Sequence, residues 1–215
     1  MNKKLIMACL ALIAVAAMAV VPALASASPV LTNGSTAVAT GTKIIAKNTG
    51  IVKFTTNLGP LECSTARMTG TLTVNSGTVI EADFESASFT GTAASGECTA
   101  PFLGNATITP KKLPWCFKAK STFSVDTWQL SGGNCPGGGS IEFTWDTTSF
   151  GECTYVSTGT PPITGTFTTG TEIQKTEKQG LLNKSAGGGF CPSSGEMDMT
   201  FDLYTDTGET ALKIS

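Results

Sequence analysis

From residue 28 onward the chain shows no sustained apolar repeat of 3.6 residues, and short stretches of period two take its place. Ile80, Ala82 and Phe84 alternate with Glu81, Asp83 and Glu85. Phe123 and Val125 alternate with Ser124 and Asp126, and Ile141, Phe143 and Trp145 with Glu142, Thr144 and Asp146. Met197, Met199, Phe201 and Leu203 alternate with Asp198, Thr200, Asp202 and Tyr204. Successive side chains of a strand point to opposite faces, so each stretch predicts a strand with one buried and one wet face. Turn signals punctuate them at intervals of about 8–12 residues. Among these are Asn33-Gly34, Asn48-Thr49-Gly50, Gly59-Pro60, Asn75-Ser76-Gly77 and Asp206-Thr207-Gly208. Roughly ten to twelve strands are too many for one flat sheet. The pattern predicts an all-β, antiparallel β-sandwich of immunoglobulin-like or jelly-roll-like kind.

Composition sharpens this. The 215 residues include 35 Thr, 18 Ser and 24 Gly, and only 14% are charged. Threonine suits a pleated, half-exposed surface because its Cβ is branched. Histidine is absent, which excludes a Ser-His-Asp triad, a Cys-His pair, an imidazole metal site and a histidine pH switch. A net charge of −2 leaves no electrostatic footprint for nucleic acid.

The N-terminus has the layout of a secretory signal peptide. Lys3 and Lys4 precede an apolar run from Leu5 to Val21, Pro22 breaks it, and Ala23-Leu24-Ala25 and Ala25-Ser26-Ala27 offer small-x-small sites. We expect residues 1–27 to be removed and 28–215 to form a single β-sandwich domain. The leader takes two lysines and Cys9 with it, which moves the net charge from −2 to −4. Six cysteines remain: Cys63, Cys98, Cys116, Cys135, Cys153 and Cys191. An even number behind an export signal predicts three disulfides. A thiolate metal site would need closely spaced pairs, which these are not, so no metal or cofactor is expected. No second apolar stretch follows, so we expect no membrane span after cleavage. The expected location is secreted, extracellular or at the cell surface.

The chain also repeats itself. Gly96-Glu97-Cys98-Thr99 recurs as Gly151-Glu152-Cys153-Thr154, and residues 135–146 align without a gap with 191–202. This suggests a duplication of about 96–146 and 151–202 within one domain. If the halves are equivalent, Cys98 pairs with Cys135, Cys153 with Cys191 and Cys63 with Cys116. A sequential scheme gives Cys63–Cys98, Cys116–Cys135 and Cys153–Cys191. Cys153–Cys191 is common to both and is the preferred pair.

Candidate chemistry is sparse. Glu81, Asp83 and Glu85 line one strand face, and Glu196, Asp198, Asp202 and Asp206 another. Brought together across a cleft, such carboxylates hydrolyse glycosides or hold calcium; on a solvated strand face they do neither. Trp145 and Trp115 read as core, and Trp128 is the tryptophan left as a candidate sugar-stacking platform. Together, Trp128, Glu81, Asp83, Glu85 and Asp198 make up the candidate ligand face. The Thr-x-Thr motifs at Thr71/Thr73, Thr107/Thr109 and Thr164/Thr166/Thr168 lack the strict period of an ice-binding array. Lys111, Lys112, Lys118 and Lys120 read as a solvated strand end. Low charge and many strands also make self-association through exposed edges an expectation.

The segments LECSTARMTG (61–70), SASFTGTAASGECT (86–99), LPWC (113–116) and FCPSSGEMDMTF (190–201) resemble a group of small secreted actinobacterial β-proteins without an assigned activity. The succession from Cys63 to Trp115 is more loosely similar to the exported alkane-oxidation activator proteins of proteobacteria. Both resemblances imply an exported β-protein, and neither implies a catalytic residue. The expected function is therefore a secreted or cell-envelope, non-catalytic binding or structural protein, adhesive or matrix-associated. Its expected ligand is a cell-wall component, a polysaccharide or a protein. The alternative is an exported carbohydrate-binding module or acid-pair glycoside hydrolase.

Overall fold

Residues 29–102, 104–121, 126–157, 163–167, 173–176 and 181–215 are described by a computed structural model of the chain. The expected signal peptide at 1–27 and the Phe123/Val125 alternation lie outside the described residues. The strands begin with β1 (Leu31–Asn33), β2 (Thr36–Ala37), β3 (Lys43–Asn48), β4 (Val52–Thr56), β5 (Gly59–Cys63) and β6 (Thr65–Ser76). Next come β7 (Val79–Thr90), β8 (Cys98–Ala100), β9 (Gly104–Lys111), β10 (Trp115–Ser121), β11 (Asp126–Gly132) and β12 (Glu142–Thr147). The last six are β13 (Gly151–Ser157), β14 (Ile163–Phe167), β15 (Ile173–Thr176), β16 (Leu181–Gly187), β17 (Ser194–Thr205) and β18 (Lys213–Ile214).

The architecture is all-β and antiparallel, and the predicted inward phases hold. Ile80, Ala82 and Phe84 are buried, as are Ile141, Phe143 and Trp145, and Met197, Met199, Phe201 and Leu203. In β7 the phase then changes. Thr69 faces Ser86 while Gly70 faces Phe84, so Glu85 is an extra residue in the ladder. Beyond this bulge the inward position shifts by one, and Phe89 is buried.

The main sheet closes on itself, because β17 is hydrogen-bonded on both sides along both halves. Residues 194–198 of β17 pair with β16 and β4. Residues 199–205 pair with β15 and β3. One circuit runs β17, β4, β5, β8, β9, β12, β13, β16 and back to β17. A second runs β17, β3, β6, β7, β10, β11, β14, β15 and back to β17. Both follow the chain's order, so they are the two ends of a single up-and-down barrel in which most strands are interrupted midway. The packed layers expected of a sandwich are thus continuous at their edges. Within this barrel the connections are nearest-neighbour, without the Greek-key crossing of immunoglobulin-like and jelly-roll sandwiches, while β18 returns to pair with β1 in the small sheet. Closure leaves the main sheet without an open edge among the described strands, while β18 and β2 remain the edges of the small sheet.

The interior is filled by aromatic side chains. Towards one end Phe54 meets Phe89, Phe143 and Trp145 edge-on, with ring centroids 5.9, 5.8 and 5.4 Å away. Towards the other, Trp128 packs 5.1 Å from Phe201 and 6.1 Å from Phe117. The second end is covered by the three-stranded sheet β18–β1–β2. Asn75, at the end of β6, fastens it by accepting from the Leu31 amide (2.8 Å) and donating to the carbonyls of Leu31 (2.9 Å) and Val38 (2.8 Å).

The bridges are Cys63–Cys98, Cys116–Cys135 and Cys153–Cys191, the sequential scheme. Cys98 and Cys153, aligned by the repeat, therefore have non-equivalent partners. Cys63–Cys98 links β5 to β8 where the ladder has one residue pair, Glu62 with Thr99. A covalent bond thus reinforces the shortest pairing of that circuit.

Candidate functional site

The predicted carboxylates stand on the outer wall, and the structure does not bring the two groups together. β6 and β3 lie between β7 and β17 in the sheet. Each acid of β7 has its own partner. Glu81 is buried and ion-paired with Lys118 of β10. Asp83 accepts hydrogen bonds from the Cys135 amide (2.6 Å) and the Asn134 side-chain amide (3.1 Å). Glu85 is exposed, bonded to Lys43 (2.6 Å) and to the Thr71 hydroxyl (2.9 Å). These two donors, Lys43 foremost, hold its carboxyl below the usual range. Asp198 is exposed on β17, opposite Lys53 of β4, whose ammonium pairs with Glu62 at 3.0 Å. The geometry for an acid pair across a cleft is therefore not formed by the residues first considered for it.

Trp128 corrects the expectation of a ligand face outright. It is 1% exposed and its ring lies inside the barrel against Phe117 and Phe201. It sits at an inward position of β11, between the outward Thr127 and Gln129, so period two assigns it to the core. A depression of about 240 Å³ lies over it, lined by Trp128 together with Lys118, Lys120, Thr127, Gln129 and Thr164.

Two further places gather ligand-type or polar groups. Asp83, Cys116 and Cys135 hold their ligand-type atoms within 4.8 Å of one another, but both sulfurs are engaged in the Cys116–Cys135 bridge. A cleft of about 550 Å³ lies beside that bridge, lined by Lys112, Leu113, Asn134, Ser140 and four glycines. Its glycine amides are already used: Gly132 and Gly139 donate to each other's carbonyls, Gly133 to Pro114 and Gly137 to Asn134. Lys112 is paired with Glu142 at 2.7 Å. The cleft offers few unsatisfied groups to a ligand.

A different surface emerges from the topology. Strand direction alternates round the barrel, so the β4–β5, β8–β9, β12–β13 and β16–β17 turns all lie at the end opposite the small sheet. Each carries a large apolar residue among the described residues: Leu58, Phe102, Phe150 and Phe190. Phe102 and Phe190 are 75% and 76% exposed. Neighbouring turns touch all the way round. A Cβ on Gly59 would stand 3.2 Å from the Phe102 ring. The Thr148 amide donates to the Asn105 carbonyl at 3.1 Å. Phe150 and Phe190 stack, with centroids 5.9 Å apart and planes 16° from parallel. A Cβ on Gly195 would stand 3.6 Å from the Thr56 methyl.

No protein-family model, curated protein or solved structure matches this chain. The site must therefore be read from its own chemistry. The turn segments 56–60, 100–105, 147–151 and 185–193 contain no Lys, Arg, Asp or Glu. Phe190 precedes Cys191, and the Cys153–Cys191 bridge ties this longest turn to β13. The buried Tyr155 hydroxyl donates to the Pro192 carbonyl at 3.0 Å from below, and burial raises its pKa further, so it remains a donor. The rim is thus a set of turns without charged residues that exposes two phenylalanine rings, Phe102 and Phe190, on a stapled frame. Sequence reasoning missed it, since its residues are single apolar positions more than 35 residues apart. The available signal was a large apolar residue inside each of four turns that contain no charged residue.

Proposed function

We propose that this chain is an exported, non-catalytic binding protein that presents one end of a closed, disulfide-stapled barrel to an extracellular or cell-surface partner. The observation that carries the reading is the exposure of Phe102 and Phe190 on one rim, beside Leu58 and Phe150, which are half-buried and packed onto the core. Folding normally buries such side chains, and contiguous exposed apolar area on a monomer marks an interaction site. Three disulfides fit an oxidising compartment. The engagement of Glu81, Asp83 and Glu85 in the wall supports a structural use of these acids.

The purified exported protein, native and reduced, would be screened against polysaccharides, cell-wall preparations and apolar surfaces. Binding that disappears on reduction is the expected result. A glycoside turned over by the native protein, with turnover lost in Asp198→Asn at unchanged melting temperature, would replace this reading with the acid-pair hydrolase.

A further inference from the structure

We infer that the rim bearing Phe102 and Phe190 inserts into the apolar boundary of a lipid surface. This rests on the reading of the rim as the binding end and names its partner. The first argument is charge. The four turns contain no charged residue, and the nearest charged side chains, Asp146, Glu152 and Lys184, flank them in sequence. Lys184 is turned onto the Gly188 carbonyl at 3.3 Å. An occupant that matches this rim is itself uncharged where it touches.

The second argument is area. A phenylalanine buries about 150–250 Å² when fully covered. Two rings, 75% and 76% exposed, therefore offer on the order of 300 Å². A stable interface with a second copy or another protein needs about 800 Å² on each side. A lipid surface has no such requirement, because a fluid apolar phase accommodates each ring separately and needs no complementary face. The third argument is shape. The rings stand on hairpin tips at the end of a closed barrel, as convex points, and Cys153–Cys191 holds the tip behind Phe190. Such points can enter a deformable layer without rearrangement of the barrel beneath. The outer wall carries Glu196, Asp198 and Asp202 on alternate positions of β17, with the apolar positions inward. That is the reverse of a membrane-spanning barrel, whose apolar band faces out.

The experiment is flotation of the exported protein with vesicles of neutral phosphatidylcholine. The expected result is partition that 0.5 M salt leaves unchanged, since no charge attraction contributes. Phe102→Ser and Phe190→Ser should each lower partition by about tenfold. Both side chains are mostly solvent-exposed, so the melting temperature should stay the same. Ile51→Ser is the control: it is 58% exposed but lies between β3 and β4, away from the rim, and should leave partition unchanged. The inference is overturned if the native protein ignores neutral vesicles, or if the double rim variant partitions as the native protein does. It is also overturned if that variant instead dissolves a dimer in sedimentation. If vesicles are ignored but the same variant loses a ligand found in the surface screen, lipid is the wrong partner and the binding reading stands. Glycoside turnover dependent on Asp198 would remove both.

Discussion

On β7, three outward acids of similar chemistry have three different uses. Glu81 is neutralised by Lys118 within the wall, and Glu85 meets Lys43 at the surface. Asp83 anchors the crossing from β11 to β12 by accepting from the Cys135 amide and the Asn134 side chain. Hydrogen bonds to a charged acceptor contribute about 1.5–3 kcal/mol each way of counting the group. Asp83→Ala should therefore lower unfolding free energy by roughly that amount in urea denaturation. Asp198→Asn, on an exposed position, should stay within about 0.5 kcal/mol. Trp128 gives a second contrast at this scale. Its indole N–H finds no acceptor among the described residues, and the ring is enclosed by Phe117 and Phe201. Trp128→Phe removes the unpartnered donor and leaves a modest void, two effects of opposite sign and similar size, so stability should change by less than about 1.5 kcal/mol. Trp128→Ala opens a large cavity and should cost about 3–5 kcal/mol. An equal cost for both substitutions would mean that the indole nitrogen has a role the packing does not reveal.

Among the elements, what could be read in advance was what depends on neighbours in sequence. The inward phases of β12 and β17 follow from Ile141-x-Phe143-x-Trp145 and Met197-x-Met199-x-Phe201-x-Leu203, because alternation is a local property of a strand. The bulge at Glu85 could not be read the same way. It exists because β6 and β7 approach closely there, and nothing in the residues beside Glu85 announces an extra position. Gly70 records the approach: a Cβ on it would overlap the Asp83 carbonyl. Gly70→Ala must push the two longest paired strands apart or shift their register. A loss of about 1–3 kcal/mol is expected from such overpacking, read from denaturation midpoints. The loss should come with faster amide exchange along Gly70 and Phe84, the residue pair next to the bulge; unchanged exchange there would place the strain elsewhere. The choice between the two disulfide schemes was also non-local. The repeat suggested equivalence of Cys98 with Cys153, whereas the barrel sets β5 beside β8, and proximity selects Cys63 for Cys98.

For the molecule as a whole, closure through β17 decides where polar and apolar surface go, and neither closure nor its consequences were visible in the chain. The wall is laced by ion pairs, while the rim has none. Glu209, in the turn after β17, is held by Lys47 of β3 and by Arg67 of β6 at 2.9 Å. These cations, Lys47 foremost, depress its carboxyl below the ordinary range, as Lys43 and then Thr71 do for Glu85. A group whose folded value is depressed contributes stability that is present above its unfolded value and is lost as pH falls through the folded one. The melting temperature should therefore be level from neutrality down to about pH 4.5, near the unfolded carboxylate value, and fall below it. Both acids are exposed, so 0.5 M salt should flatten that fall by screening the pairs. The double variant Glu85→Gln, Glu209→Gln should start from a slightly lower melting temperature at pH 7 and lose less on acidification. The same slope in variant and native protein would show that other carboxylates govern the acid response. The rim turns contain no group that titrates in this range, so attachment through Phe102 and Phe190 should be equal at pH 7 and pH 5. A pH-dependent attachment above pH 5, with the fold intact, would mean that the charged wall takes part in binding.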